Sequence, residues 1–140
     1  MYNFFLQFHS GLRWLVLLAG VFIVVKSIIG LLSNANYSKL DKIGTIAYVM
    51  FLRVQFLVGI VLYFFLSPYT SRFTFNMSDP VERFWAVEHI LLMIFSIGAA
   101  EMGNKISKNS DDDVVKFRFQ SILFGISLIL ILIGIPWNRL

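Results

Sequence analysis

The chain has 140 residues and a formal net charge of +4, and 58% of its residues are hydrophobic while only 14% are charged. Soluble domains carry about 25% charged residues, so this composition predicts a small integral membrane protein made of one domain. These 140 residues contain no cysteine, which excludes disulfides, thiolate catalysis, cysteine-ligated iron–sulfur clusters and covalent haem attachment.

Four apolar stretches predict four membrane-spanning helices, which cover residues 12–32, 43–66, 84–100 and 119–135. With a rise of about 1.5 Å per residue, roughly 20 residues cross the ~30 Å hydrocarbon layer, and each stretch is close to that length. The first stretch exceeds the apolar region of a signal peptide and follows no basic segment, so it is expected to remain as a helix. The chain is therefore predicted to be an all-α bundle in a single domain, 1–140.

Local signals and short connectors predict how the helices follow one another. Ser78 or Asp79 can cap the third helix, because Pro80 suits its first position and Glu82 lies in its first turn. Pro136 ends the fourth helix. Short connectors place consecutive helices side by side in opposite directions, which predicts an up-down-up-down bundle with both termini on one side.

The distribution of basic residues predicts the orientation in the membrane. The side that holds the first and third connectors carries seven of them, Lys26, Lys39, Lys42, Lys105, Lys108, Lys116 and Arg118, and the opposite side carries Arg13, Arg72, Arg83 and Arg139. Because loops rich in Lys and Arg stay inside, the first and third connectors are expected in the cytoplasm of a bacterial inner membrane and both termini outside. All three tryptophans, Trp14, Trp85 and Trp137, fall on the outer side, as an interfacial aromatic belt requires.

Two histidines are the most informative polar residues of the spans. His9 and His89 lie near the outer ends of the first and third helices, at depths that agree within a turn or two. Such a pair could bind one haem iron from both sides, and Arg13 and Arg83 are candidates to pair with the haem propionates. The competing interpretation is that both histidines are interfacial residues hydrogen-bonded to their neighbours, without any cofactor.

A charged residue is predicted deep within the second helix. Arg53 lies well inside this span, where a charge costs about 2.5–3.5 kcal/mol on insertion scales, so it is expected to face the bundle interior and pair with Glu101. The pair is interpreted either as a contact to a bound anion or quinone, or as a structural ion pair that fixes the helix arrangement. Gln55 on the same helix is expected to donate a hydrogen bond to a cofactor or to a neighbouring backbone.

From His9 to Trp14 the sequence resembles a family of small four-helix membrane proteins from Bacteroidetes that are commonly described as cytochrome b-like. The resemblance covers essentially the whole chain and continues at Gln55, Gly59, Leu62, Tyr63, Ser67, Pro68, Arg83, Val87, Glu88, His89, Ile135 and Pro136. It implies that the protein binds haem b, with His9 and His89 as the matching ligands. The chain departs from the family at Arg53, where relatives often carry histidine. If that histidine is an axial ligand in the relatives, this protein binds haem differently or not at all.

The resulting hypothesis is a b-type haem protein that transfers electrons near the outer, periplasmic membrane face, with quinol as a candidate for electron exchange. The alternative is a cofactor-free structural or accessory subunit of a larger membrane complex, and a third possibility is a small transporter or channel gated at Arg53. Expected partners are the lipid bilayer and either further copies of the chain or a larger complex. No nucleic-acid motif, phosphate-binding loop or paired nucleophile and base is present, so nucleic-acid binding, phosphoryl transfer and hydrolysis are not indicated.

Overall fold

Four long helices make up the computed structural model of the protein, which describes residues 2–66 and 77–137. They are α1 (Tyr2–Leu32), α2 (Lys39–Leu66), α3 (Pro80–Lys108) and α4 (Asp113–Gly134), and no strand occurs in the described ranges. Each helix is long and apolar enough to cross a membrane, so the predicted all-α, multi-pass membrane class is confirmed. The predictions for Ser67, Pro68, Arg72 and Arg139 lie outside the described residues.

The helices extend beyond the apolar stretches that predicted them. α1 begins at Tyr2 rather than at residue 12, α3 continues to Lys108 rather than ending at residue 100, and α4 begins at Asp113 rather than at residue 119. Hydropathy marks only the part of a helix that lies in hydrocarbon, and polar turns can continue the helix at either end. The early start of α1 places His9 within a helix.

Side-chain caps explain where three of the helices begin. The Ser38 hydroxyl accepts a hydrogen bond from the backbone N–H of Asp41, and the Asp41 carboxylate accepts one from the backbone N–H of Ser38 at 2.8 Å. This reciprocal capping box satisfies two backbone donors at the start of α2. Asp79, one of the two predicted caps, accepts from Val81 N–H at 2.9 Å at the start of α3, and Asp112 plays the same part for α4.

Tyr48 stands at the centre of the bundle core. It is fully buried, its ring contacts that of Phe124 at 5.3 Å between centroids, and its hydroxyl is 2.7 Å from the Ser127 hydroxyl. Ser127 in turn contacts the Ser96 hydroxyl at 2.9 Å. A Cβ atom at Gly20 would lie only 2.9 Å from the Tyr48 ring, so glycine is what lets α1 approach α2 and α4 here.

A buried polar cluster, formed by Ser27, Tyr37, Ser107 and Gln120, ties the bundle together at the end where the first and third connectors lie. The Gln120 amide donates to the Tyr37 hydroxyl at 2.7 Å and to the Ser107 hydroxyl at 3.1 Å, and its oxygen accepts from Ser27 at 3.1 Å. Nearby, the Lys26 ammonium pairs with Asp41 at 2.7 Å. The Gln120 cluster therefore joins α1, α3, α4 and the first connector through satisfied hydrogen bonds.

Candidate functional site

A cavity of about 440 Å³ lies between the helices at the opposite end of the bundle. All four helices line it, through the beginnings of α1 and α3, the last turns of α2 and the end of α4. Its volume falls in the ~300–1,000 Å³ range of small-molecule and cofactor sites. The polar lining residues are Tyr2, His9, Ser10, Arg13, Gln55, Tyr63 and His89, and most of the remaining wall is apolar.

His9 from α1 and His89 from α3 lie close together in this cavity. Their ring centroids are 6.3 Å apart, and the ring planes are inclined by 78°. A metal–imidazole bond is about 2 Å long and the ring centre lies about 1 Å beyond the nitrogen, so one metal between two imidazoles places their centres about 6 Å apart. The observed separation fits that requirement.

The His89 imidazole is oriented by the end of α4. Its Nδ1 lies 2.8 Å from the backbone oxygen of Gly134. A carbonyl oxygen can only accept, so Nδ1 carries the proton and Nε2 keeps its lone pair. Histidines that ligate metals usually donate their other ring N–H in this way, which fixes the tautomer and the ring orientation. Phe84 and Trp85 belong to the same helix as His89. Their rings pack against its imidazole, at 5.6 and 5.4 Å between centroids.

The His9 imidazole is positioned by α2. The Gln55 amide donates to the backbone oxygen of His9 at 2.8 Å, one of the two uses predicted for this side chain. Gly59 lies against the imidazole itself, and a Cβ there would be 3.2 Å from His9 Cε1. His9 Nδ1 and Gln55 Oε1 are buried without a hydrogen-bond partner among the described residues. Buried polar atoms are normally satisfied, so these two atoms indicate that the cavity takes a ligand or water.

Substituting Gly59 with valine is expected to destabilise the protein by about 1–3 kcal/mol, because the added side chain must displace the His9 imidazole in a packed interface. The matched control is Gly125→Val, since Gly125 is also helical but a Cβ there meets nothing within 4 Å. Thermal unfolding in detergent should show a lower midpoint for Gly59→Val only. Equal midpoints for both variants would show that the approach of α2 to His9 contributes no stability.

Arg13 supplies a positive charge to the cavity. It lies one turn after His9 on α1 and lines the cavity, with its guanidinium carbon 4.9 Å from the centre of the Trp14 ring. Its Nε is buried and has no hydrogen-bond partner among the described residues. An arginine N–H with no acceptor beside two imidazoles suits a ligand that carries an anionic group.

Arg83 lies apart from this group. It does not belong to the described lining of the cavity, and its Nε contacts the Glu88 carboxylate at 3.2 Å, with both side chains nearly half exposed. The structure therefore brings Arg13, but not Arg83, together with the two histidines.

Arg53 and Glu101 form the predicted ion pair, with Nε to Oε1 at 2.7 Å and Nη2 to Oε2 at 2.9 Å. The expectation that Arg53 faces the bundle interior is wrong, because its side chain is 44% exposed and that of Glu101 is 42% exposed. The reason is the helix phase. Leu52 is buried in the core, and the next residue of a helix points about 100° away from it.

Two features of the cavity were not singled out in the sequence. α2 and α3 each contain a widened π-helical turn beside it, Leu62–Leu66 and Phe84–Glu88, and such turns occur frequently at functional sites. The Tyr63 hydroxyl donates to the backbone oxygen of Ala86 at 2.7 Å and so joins the two turns. Neither π turn can be predicted from hydropathy or residue spacing. A π turn holds one more residue than an α-helical turn, and the apolar pattern of these segments is the same in either case.

A smaller cavity of about 50 Å³ continues from the histidines along the contact between α2 and α3, where Phe56, Ile60 and Ile90 form apolar walls. The two imidazoles are thus bordered by Arg13 on one side and by the apolar contact between α2 and α3 on the other. This arrangement can hold a metal-centred or aromatic ligand that has both apolar and anionic parts. No protein-family model matches the chain, no curated protein matches its sequence and no solved structure matches its fold.

Proposed function

We propose that the protein binds haem b between His9 and His89 and transfers electrons at the outer side of the membrane. The observation that carries the proposal is the placement of two imidazoles from different helices, 6.3 Å apart, in a cavity of about 440 Å³. The resemblance of the chain to cytochrome b-like proteins supports the same function. Bound haem supplies a one-electron couple between ferric and ferrous iron.

The residues of the cavity have distinct roles in this proposal. His89, oriented by the Gly134 carbonyl, would hold the haem iron through Nε2, and His9 from α1 would hold it through its own imidazole. With both histidines holding the iron, the bound haem would supply electron transfer rather than oxygen activation. Arg13 would pair with a propionate through its Nε–H, which has no partner among the described residues. Arg83 is the weaker candidate for this role, since Glu88 already neutralises it.

With haem in the cavity, the apolar wall would keep the local dielectric low, which is one of the means by which proteins set haem potentials. Leu52, Met93 and Ile131 contribute to this wall. The apolar contact between α2 and α3 beside the histidines suits a quinol in the lipid phase as electron donor. Membrane-soluble donors reach a site of this kind without crossing an aqueous layer.

The proposal includes an up-down-up-down arrangement in a bacterial inner membrane, with both termini outside and the first and third connectors in the cytoplasm. Residues early in α1 contact residues late in α2, as Gln55 does with the His9 backbone, whereas Lys26 late in α1 pairs with Asp41 early in α2. These contacts, together with the excess of Lys and Arg on the connector side, support this orientation.

The test is a spectrum of the detergent-purified protein from haem-replete cells, recorded oxidised and after reduction with dithionite. We expect a sharp reduced α-band of b-type haem at about one haem per chain. Protein isolated without haem is then titrated with haemin, and we expect saturation at the same stoichiometry. A colourless protein that also fails to bind added haemin would overturn the proposal and favour the cofactor-free accessory subunit.

A further inference from the structure

The Arg53–Glu101 ion pair lies on the outer surface of the bundle, where α2 meets α3. Two of the arginine nitrogens contact the carboxylate, but among residues 2–66 and 77–137 Nη1 has only the sulfur of Met50, at 3.7 Å, as a partner. A guanidinium has five N–H donors and a carboxylate accepts about four hydrogen bonds. Both groups therefore retain hydrogen-bonding capacity, and both side chains are exposed on the bundle surface.

The depth of Arg53 and Glu101 in the membrane indicates what their exposed side chains contact. With 1.5 Å per residue, Glu101 lies roughly 10 Å along α3 from its end at Lys108, and Arg53 lies roughly 21 Å along α2 from its start at Lys39. Arg53 lies inside the apolar stretch 43–66 of its helix, and Glu101 directly follows the stretch 84–100, so the pair reaches into the hydrocarbon from its edge. Hydrocarbon offers no hydrogen-bond partner, and charged residues in such segments almost always face protein or a water-filled cavity. Another protein surface is therefore expected to cover this face.

We propose that the covering surface is a second copy of the chain, in a dimer whose two-fold axis runs along the membrane normal beside Arg53 and Glu101. Two copies inserted with the same topology carry the pair at the same depth. Rotation by 180° about that axis then places Arg53 of each copy opposite the partner's Glu101. The surface is thus self-complementary in charge, as an isologous interface requires. An unrelated partner protein would need an acidic residue opposite Arg53 and a basic residue opposite Glu101, both at this depth.

The surroundings of the pair suit close helix contact. Gly98, one turn before Glu101 on α3, is exposed, and a Cβ at this position meets nothing within 4 Å. A small residue here allows the backbone of a second helix to come near. Ile94, Met50 and Leu57 are exposed apolar residues on the same two helices and would exclude lipid around the four charges. This interface does not involve His9 or His89, so it is independent of haem binding.

The test uses charge reversal in the full chain, with oligomeric state measured by single-molecule photobleaching in lipid vesicles and by native mass spectrometry. Wild-type protein is expected to be dimeric. Arg53→Glu gives a copy with two acids, and Glu101→Arg gives a copy with two bases, so each alone is expected to lose at least ten-fold in dimer affinity. Co-expressed under different tags, the two variants are expected to purify together as a heterodimer, because each acid then faces a base across the interface.

The heterodimer distinguishes the proposed contact from a merely internal ion pair, since neither variant can form the internal pair. Arg118→Glu, an exposed charge elsewhere, serves as the control and should leave the dimer unchanged. Arg53→Gln combined with Glu101→Gln removes both charges without placing two like charges in one copy, which guards against misfolding of the reversed variants; this variant too should lose dimer affinity. A monomeric wild type in vesicles, single variants that dimerise as well as wild type, or folded variants that do not associate when mixed would each overturn the proposal.

Discussion

His89→Ala is expected to abolish haem binding, with at least a ten-fold loss of the reduced α-band per mole of protein. The substitution removes one axial ligand of the proposed haem site and leaves the Gly134 carbonyl without its imidazole donor. Loss of that hydrogen bond should also lower stability by about 1–3 kcal/mol. His9→Ala should abolish the α-band equally but reduce stability less, because His9 Nδ1 has no hydrogen-bond partner among the described residues.

Adding free imidazole distinguishes a role of His89 as an iron ligand from a purely structural role. Alanine at position 89 leaves room for an imidazole molecule in the cavity, so added imidazole should restore the α-band of His89→Ala in a saturable manner. Met93→Leu is the matched control, since Met93 lines the same cavity and the change conserves volume. A His89→Ala protein that retains the wild-type band would show that His89 is not a ligand.

Gln120→Leu should destabilise the protein far more than the same change at an exposed glutamine, with a loss of about 2–5 kcal/mol. The change removes three buried hydrogen bonds and leaves the hydroxyls of Ser27, Tyr37 and Ser107 without their common partner. Hydrogen bonds between membrane helices average about 0.6 kcal/mol and reach about 1.7 kcal/mol, so the range follows from three of them.

Equilibrium unfolding in mixed micelles measures this loss. Gln7→Leu is the control, because Gln7 is an exposed glutamine in α1 and its substitution should change stability by less than about 0.5 kcal/mol. If Gln120→Leu unfolds at the same denaturant fraction as Gln7→Leu, the buried cluster contributes specificity without stability.

The sequence was sufficient to predict the four spans and the similar depth of His9 and His89, because both depend only on apolar length and position along a helix. It could not predict which way each helix faces. In a soluble helix the apolar side identifies the core, but in a membrane helix the lipid-facing side is equally apolar. Arg53 was expected inside the bundle because a charge in the membrane is costly, but apolar patterning gave no check on this, and the residue that points inward is Leu52.

At the functional site, too, the positions of residues along the helices could be predicted, but their contacts could not. Gly59 and Gln55 were noted as residues of α2, but their contact with His9 depends on the rotation of α1 against α2, which apolar patterning does not encode. The Gln120 cluster was missed because its members come from four separate segments of the chain. A buried glutamine in an otherwise apolar span was the one signal that could have indicated it.

The two ends of the bundle are joined in different ways, and this difference has a consequence for assembly. At the end of the first and third connectors, polar side chains bond to one another in a filled interior, whereas at the other end Gln55, Tyr63 and His89 each bond to the backbone of a neighbouring helix around an open volume. The hydrogen-bonded helices at the connector end can hold the bundle together while the helix ends around the cavity move apart. A prosthetic group could then be loaded after the chain has inserted, so maturation would proceed in two separable stages and the empty protein would persist as a receptive intermediate.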